Sequence, residues 1–179
     1  MSSWRPTMDK EKYKQAILFF LNSSANNIRL GKVKLFKLLY YADFDHYQVY
    51  KTPITGDVYN KKAYGPVPQS AQAIMYEMCS DNLLEMTTRR IGDYRQNVYT
   101  PLVSHQPDAF TTTEMQVLDH VVQKWTSHST QEIVVATHGE APWRAVEMAE
   151  EIPYALAFYR RQIEEHDHDE ELEEVTASR

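Results

Sequence analysis

The stretch Val33-Lys-Leu-Phe-Lys-Leu-Leu-Tyr-Tyr-Ala-Asp43 decides how this chain folds. Wound as a helix, it carries apolar or aromatic side chains around most of its circumference, the pattern of a helix covered on nearly all sides. The spacing predicts a helix over about 32–50 that forms the centre of the fold. Its one polar stripe is Lys34, Lys37, Tyr41, Asp45 and Gln48. Lys34 and Lys37 fall at the start of the helix, where unpaired N–H groups carry partial positive charge and a cation costs roughly a few tenths of a kcal/mol. Two readings stay open for them. Their stems cover apolar surface while the ammonium groups reach water, or they await acidic groups from the same chain or a partner.

Working outward, residues 9–22 place Tyr13, Ala16, Ile17, Phe20 and Leu21 at helical spacing, with Thr7 or Asp9 as N-cap. Asn22–Asn27 is a polar connector. Thr52-Pro-Ile-Thr-Gly-Asp57 and Tyr64-Gly-Pro-Val-Pro68 carry turn chemistry. The prolines at 66 and 68 suit the first turn of a third helix over about 67–81. Leu83–Thr88 and Gln96–Val103 read as the strands of a hairpin. Thr111-Thr-Thr-Glu114 and Ser129-Thr-Gln-Glu132 both match the capping box, predicting helices over about 112–126 and 130–138, the second closed by Gly139. A last helix follows Pro153. The expected fold is mainly α, a compact helical domain with one small β-hairpin. Three helices followed by a hairpin also echo a winged helix.

With 179 residues, 42% of them hydrophobic, the chain is large enough for one packed domain. Charge is uneven: residues 1–62 hold 11 Lys/Arg against 5 Asp/Glu, and residues 63–179 hold 8 against 20. Much of the acidity sits in Glu164-Glu-His-Asp-His-Asp-Glu-Glu-Leu-Glu-Glu174, which reads as a solvated run. The expected division is an N-terminal extension over 1–8, a domain over 9–161 and an acidic tail over 162–179. No apolar run reaches the roughly 18–20 residues that span a bilayer, and no secretory h-region opens the chain, so a cytoplasmic location is expected.

The motifs of catalysis are missing. None of the 7 His falls in His-Glu-x-x-His, no phosphate loop or Gly-x-Ser-x-Gly occurs, and the single Cys79 excludes a cysteine zinc cluster. His166-Asp-His168 lies in the acidic run without a closing ligand set. The expectation is therefore a protein that is not an enzyme and has no cofactor or metal. Nucleic acid is a poor fit as well. In a winged-helix alignment the groove helix would be Val67–Asp81, which contains no Lys or Arg and carries Glu77 and Asp81, whereas phosphate contacts need cations. Arg89, Arg90 and Arg95 on the hairpin form a small basic wing. A DNA-binding transcriptional regulator of winged-helix type is retained as the alternative reading. Tyr59 and Tyr64, beside the Gly-Pro turn, suit protein recognition, since Tyr brings large area with few rotors to freeze.

Three segments in order carry a resemblance: Val33–Asp43; Pro53-Ile-Thr-Gly-Asp-Val-Tyr59 with Ala63-Tyr-Gly-Pro-Val-Pro68; and Thr137-His-Gly-Glu-Ala-Pro-Trp143. Together they resemble the Panacea-domain family, the SocA-like antitoxins that include phage-associated GepA-type proteins, over about residues 9–160. The resemblance implies an antitoxin of a toxin–antitoxin system, often carried on prophages, that neutralises a cognate toxin encoded by an adjacent gene through direct protein contact. One relative acts as an adaptor to a protease, so a cytoplasmic protease is a second implied partner. The family's marked positions fall here on Leu35, Lys37, Leu38, Tyr40, Tyr64, Gly65, Pro66, His138 and Trp143. Gly31 departs from the pattern, standing where many relatives have a hydroxyl-bearing N-cap. His138 reads first as a satisfied histidine at a helix C-terminus and Trp143 as a core anchor. The expected partner-binding surface is Lys34, Lys37, Tyr41, Lys61, Lys62, Tyr64, Gly65 and Pro66.

Overall fold

Helix α2, Lys32–Tyr50, is the axis on which the rest packs, as its pattern predicts. The computed structural model describes residues 5–23 and 30–160; the acidic tail and most of the Asn22–Asn27 connector lie outside them. Around α2 stand α1 (Lys10–Ser23), β1 (Tyr59–Lys62), β2 (Gly65–Pro68), α3 (Ala71–Ser80), β3 (Leu84–Ile91), β4 (Tyr94–Pro101), α4 (Thr112–Trp125), α5 (Thr130–Gly139) and α6 (Ala141–Arg144). A 3₁₀ turn at Pro107–Ala109 precedes α4, and a 3₁₀ helix at Tyr154–Tyr159 follows α6. Helices α1, α4 and α5, strand β2 and the terminal 3₁₀ helix all touch α2.

The core is aromatic. Tyr40 lies 4.4 Å from Phe44 between ring centroids, Phe44 stacks on Tyr154 at 4.7 Å, and Tyr41 stacks on Trp125 at 4.8 Å. Such pairs add about 0.5–1.5 kcal/mol each beyond area burial. They join the terminal 3₁₀ helix and α4 to α2. Helix α1 starts where Asp9 accepts from the Lys12 amide at 3.0 Å. Both capping boxes form in full, Thr111 with Glu114 and Ser129 with Glu132. Gly31 caps α2 without a side chain. A Cβ there would meet Gln96 Nε2 at 2.0 Å, because Gly31 bridges Val98 of β4.

Two expectations are corrected. Among the described residues there are two hairpins, not one, and α3 begins at Ala71 rather than 67. Residues 65–68 pair antiparallel with 59–62, Lys62 opposite Gly65 and Tyr59 opposite Pro68. Proline cannot donate to a ladder, yet β2 has only one strand neighbour and its other side meets α2, so Pro66 and Pro68 cost no pairing. This extra hairpin stands between α2 and α3, where a three-helix-then-wing order has none. The helix expected after Pro153 is present, as a 3₁₀ helix over Tyr154–Tyr159. The β3–β4 hairpin forms as expected, with β3 extended to Ile91, β4 starting two residues earlier at Tyr94, and a two-residue turn at Gly92-Asp93.

Candidate functional site

The three sequence segments meet in space. Lys37 on α2 is 1% exposed, and its Nζ donates to the Pro66 carbonyl of β2 at 2.7 Å. The backbone comes this close only because residue 65 is glycine. Gly65 has φ +93°, and a Cβ on it would meet Thr137 Oγ1 at 2.5 Å and Lys37 Cε at 2.7 Å. Thr137 opens the third segment, in which the His138 and Trp143 rings stack at 4.1 Å. Trp143 Nε1 then donates to Lys62 O at 3.1 Å, and Lys61 Nζ sits 4.1 Å from the Trp143 ring while donating to Val146 O at 2.8 Å. The β1–β2 hairpin is thus clamped between α2 and the α5–α6 corner. Its tip projects Tyr64, 71% exposed, with Lys62 exposed beside it.

This placement corrects half of the expected surface. Lys37, Tyr41, Gly65 and Pro66 are buried, so the polar stripe of α2 is covered rather than presented. Strand β2 and α5 lie over it near Lys37, and α4 with the terminal 3₁₀ helix near Tyr41. Lys61, Lys62 and Tyr64 do lie together. Lys34 lies apart from them, half-buried, donating to His128 O at 2.6 Å beside a cavity of about 430 Å³ lined by Leu30, Leu38 and Trp125. The reading of Lys34 and Lys37 as waiting for acids is answered the same way for both: each ends on a backbone carbonyl of this chain. His138 is not the fully satisfied helix-end histidine expected, since its Nε2 is buried without a hydrogen-bond partner among the described residues.

Sequence reasoning missed a network of buried acids. Asp43 accepts from the Thr55 amide at 2.6 Å, from the Thr55 hydroxyl and from Tyr59 OH at 2.7 Å. Asp57 accepts from Tyr13 OH at 2.8 Å and from the Ser70 amide and hydroxyl at 2.9 Å each. Glu140 accepts from Tyr40 OH and from Arg160, both at 2.9 Å, and Arg160 also pairs with Asp45 at 2.5 Å. The signal for Asp43 was an acid in an otherwise apolar run. The Thr55-Gly-Asp57 turn supplied its partner.

Burial governs the electrostatics. It pushes the Asp43 carboxyl up to about 6, against the Thr55 and Tyr59 hydrogen bonds that lower it. It lowers Lys37 to about 7, since only one carbonyl replaces the lost water. It raises Glu140 against the attraction of Arg160, and it lowers His138, to which the nearby charges of Lys37 and Lys61 add. The acids face donors of the same chain, and the cavity beside Lys34 is lined by none of them. Among the described residues no group of three or more His, Cys, Asp or Glu is placed to hold a metal ion; His166 and His168 lie outside them. On the nucleic-acid side, Glu77 of α3 is tied to Lys14 at 2.7 Å and to Lys10 of α1. The α3 face therefore offers neither a cation nor a free acid at that point.

A family model described as the antitoxin SocA-like, Panacea domain matches residues 35–144, more than half of the chain. The chain belongs to this family. No curated protein and no solved structure is significantly similar to it. In this Panacea domain the family match runs from the second turn of α2 to the end of α6. It takes in the first of the three segments from Leu35 onward and the other two whole. The family's marked residues therefore divide by burial. Leu35, Lys37, Leu38, Tyr40, Gly65 and Pro66 are buried, His138 and Trp143 are half-buried, and Tyr64 is exposed. No helix among the described residues is long and apolar enough to cross a membrane.

Proposed function

We propose that this Panacea domain is an antitoxin that neutralises a cognate toxin, the product of an adjacent gene, by direct protein contact in the cytoplasm. The observation that carries the reading is the family match over residues 35–144. The geometry supports a binding role in particular. Lys37, Asp43, Asp57 and Glu140 are each bonded within the chain, and a hairpin clamped from both sides loses little entropy when a partner docks. In this reading the domain makes and breaks no bonds and needs no cofactor. The contact face is Lys61, Lys62 and Tyr64 at the β1–β2 tip, rimmed by Trp143. Lys37, Tyr41, Gly65 and Pro66 support that face from below, and Lys34 holds the α4–α5 connection. Tyr64 and Trp143 are of the types enriched in binding hot spots, and the lysines give the face its charge.

Co-expression tests the reading. The neighbouring reading frame alone should arrest growth, and this chain should restore it and co-purify with the product. A harmless neighbour, or a toxic one that the chain neither binds nor relieves, overturns the proposal. Tyr64→Ala with Lys62→Glu should weaken rescue at least tenfold in colony count while the far-ultraviolet circular dichroism stays that of the parent; full rescue by the variant moves the contact face elsewhere. Loss of toxin protein during rescue, reversed in a protease-deficient host, would mark delivery to a cytoplasmic protease rather than blocking.

A further inference from the structure

The β3–β4 hairpin is built unlike the rest of the molecule. Its base is anchored by Leu84, Val98 and Tyr99, but every β3 residue from Glu85 to Ile91 is exposed. Among the described residues the sheet consists of these two strands. One outer edge is tied to the body, where Val98 of β4 bridges Gly31. The outer edge of β3 has no strand beside it among the described residues, and it leaves a row of backbone donors and acceptors free along its length. Proteins usually blunt such an edge, and a two-stranded ribbon is marginal in water.

The side chains of the tip add a second oddity. Arg90 lies directly opposite Arg95 in the register, a like-charge cross-strand pair that weakens a hairpin. Arg89 precedes Arg90 and stands on the other face, opposite Gln96, and none of the three arginines forms an ion pair among the described residues. Opposite each other on the other face of the ribbon stand Ile91, 44% exposed, and Tyr94, 81% exposed. A projecting ribbon thus combines self-repelling guanidinium groups, a large exposed aromatic and a vacant strand edge.

We propose that this hairpin is a docking arm, and that the free β3 edge receives an extended, acidic segment of the partner protein as a third strand. Strand addition satisfies the backbone, carboxylates on the incoming segment pair with Arg89, Arg90 and Arg95, and an apolar pocket takes Tyr94. A protein segment fits better than nucleic acid. Exposed Ile91, Tyr94 and Met86 have no use on a phosphate backbone, Glu85 and Asp93 lie in the same ribbon, and α3 supplies no cation to help. The arm deepens the antitoxin reading and rests on it, since the partner is the toxin.

The test uses the full chain and the product of the neighbouring reading frame. Arg90→Gln with Arg95→Gln removes the repulsion, so this variant should melt no lower than the parent yet bind the partner at least tenfold more weakly. Arg90→Glu with Arg95→Glu keeps a like-charged pair and should abolish rescue. Hydrogen exchange at the 85–91 amides should slow on complex formation. If the parent rescues and both variants rescue equally, or those amides exchange unchanged, the arm is overturned and the antitoxin reading stands. If the parent itself fails to rescue, the antitoxin reading falls and takes the arm with it. Arginine-dependent binding of the parent to a labelled duplex of its own upstream DNA, without the partner, would reassign the arm to nucleic acid and overturn the proposal.

Discussion

At the scale of single residues, Lys37 carries the clearest consequence. Burial lowers it to about 7 in the folded chain, against 10.5 for an unperturbed lysine. The folded state therefore binds fewer protons than the unfolded state between those two values, and folding stability gains as pH rises through that window. Below pH 7 both states are protonated, and the full cost of burying the ammonium group is present. Lys37→Met removes this titration. Comparing urea midpoints of the parent and variant at pH 7 and pH 9, the stability difference should shift by about 2 kcal/mol in the parent's favour at the higher pH; a difference that does not change with pH would contradict the buried, weakly basic lysine. Gly65 is the second such residue. Gly65→Ala forces φ +93° on an L side chain and drives its Cβ into Thr137 and Lys37. The expected loss is about 2–4 kcal/mol, seen as a fall in Tm of several degrees. Tm equal to the parent's would mean that the hairpin tip relaxes freely.

At the scale of elements, legibility follows how local the determinants are. The capping boxes of α4 and α5 were readable because each closes on itself within four residues, Thr111 to Glu114 and Ser129 to Glu132. Helix α2 was readable because its burial is written into nearly every position. The β1–β2 hairpin was not, since Pro66 and Pro68 argue against a strand until one knows that α2 covers their side. The fate of the α2 stripe was hidden for the same reason: a polar residue on an apolar helix marks solvent or a buried partner, and only Pro66, Glu140 and Arg160, far along the chain, decide between them. The marked positions of the family were legible as a pattern, but their division into a buried support and an exposed tip was not. Capping offers a test at this scale. Ser129→Ala should cost about 1 kcal/mol and Thr111→Ala a similar amount. Measured by urea unfolding, a negligible loss at Ser129 would mean that α5 is held by packing of Ile133 and Val134 alone.

For the molecule as a whole, closure depends on one guanidinium. Arg160 is buried at the end of the described chain, where it joins Glu140 before α6 to Asp45 on α2 and lies 5.3 Å from the Tyr41 ring. Glu140 in turn holds Tyr40. The α5–α6 corner, the terminal 3₁₀ helix and the central helix therefore share a single buried charge cluster, and the same corner clamps the β1–β2 tip through Trp143. Breaking such a cluster from one side leaves an uncompensated buried charge, which typically costs about 3–5 kcal/mol. Arg160→Met should lower stability by that amount. Glu140→Gln added to it removes the stranded carboxylate and should recover part of the loss, although the Arg160 pairing with Asp45 stays broken. The two substitutions should thus be strongly non-additive in a double-mutant cycle. Additive losses would show that Arg160 acts through packing on Tyr41 rather than through Glu140. Because the clamp reaches Trp143, Arg160→Met should also weaken rescue of a toxin by more than its loss of folded protein explains, and Glu140→Gln should restore rescue in step with stability.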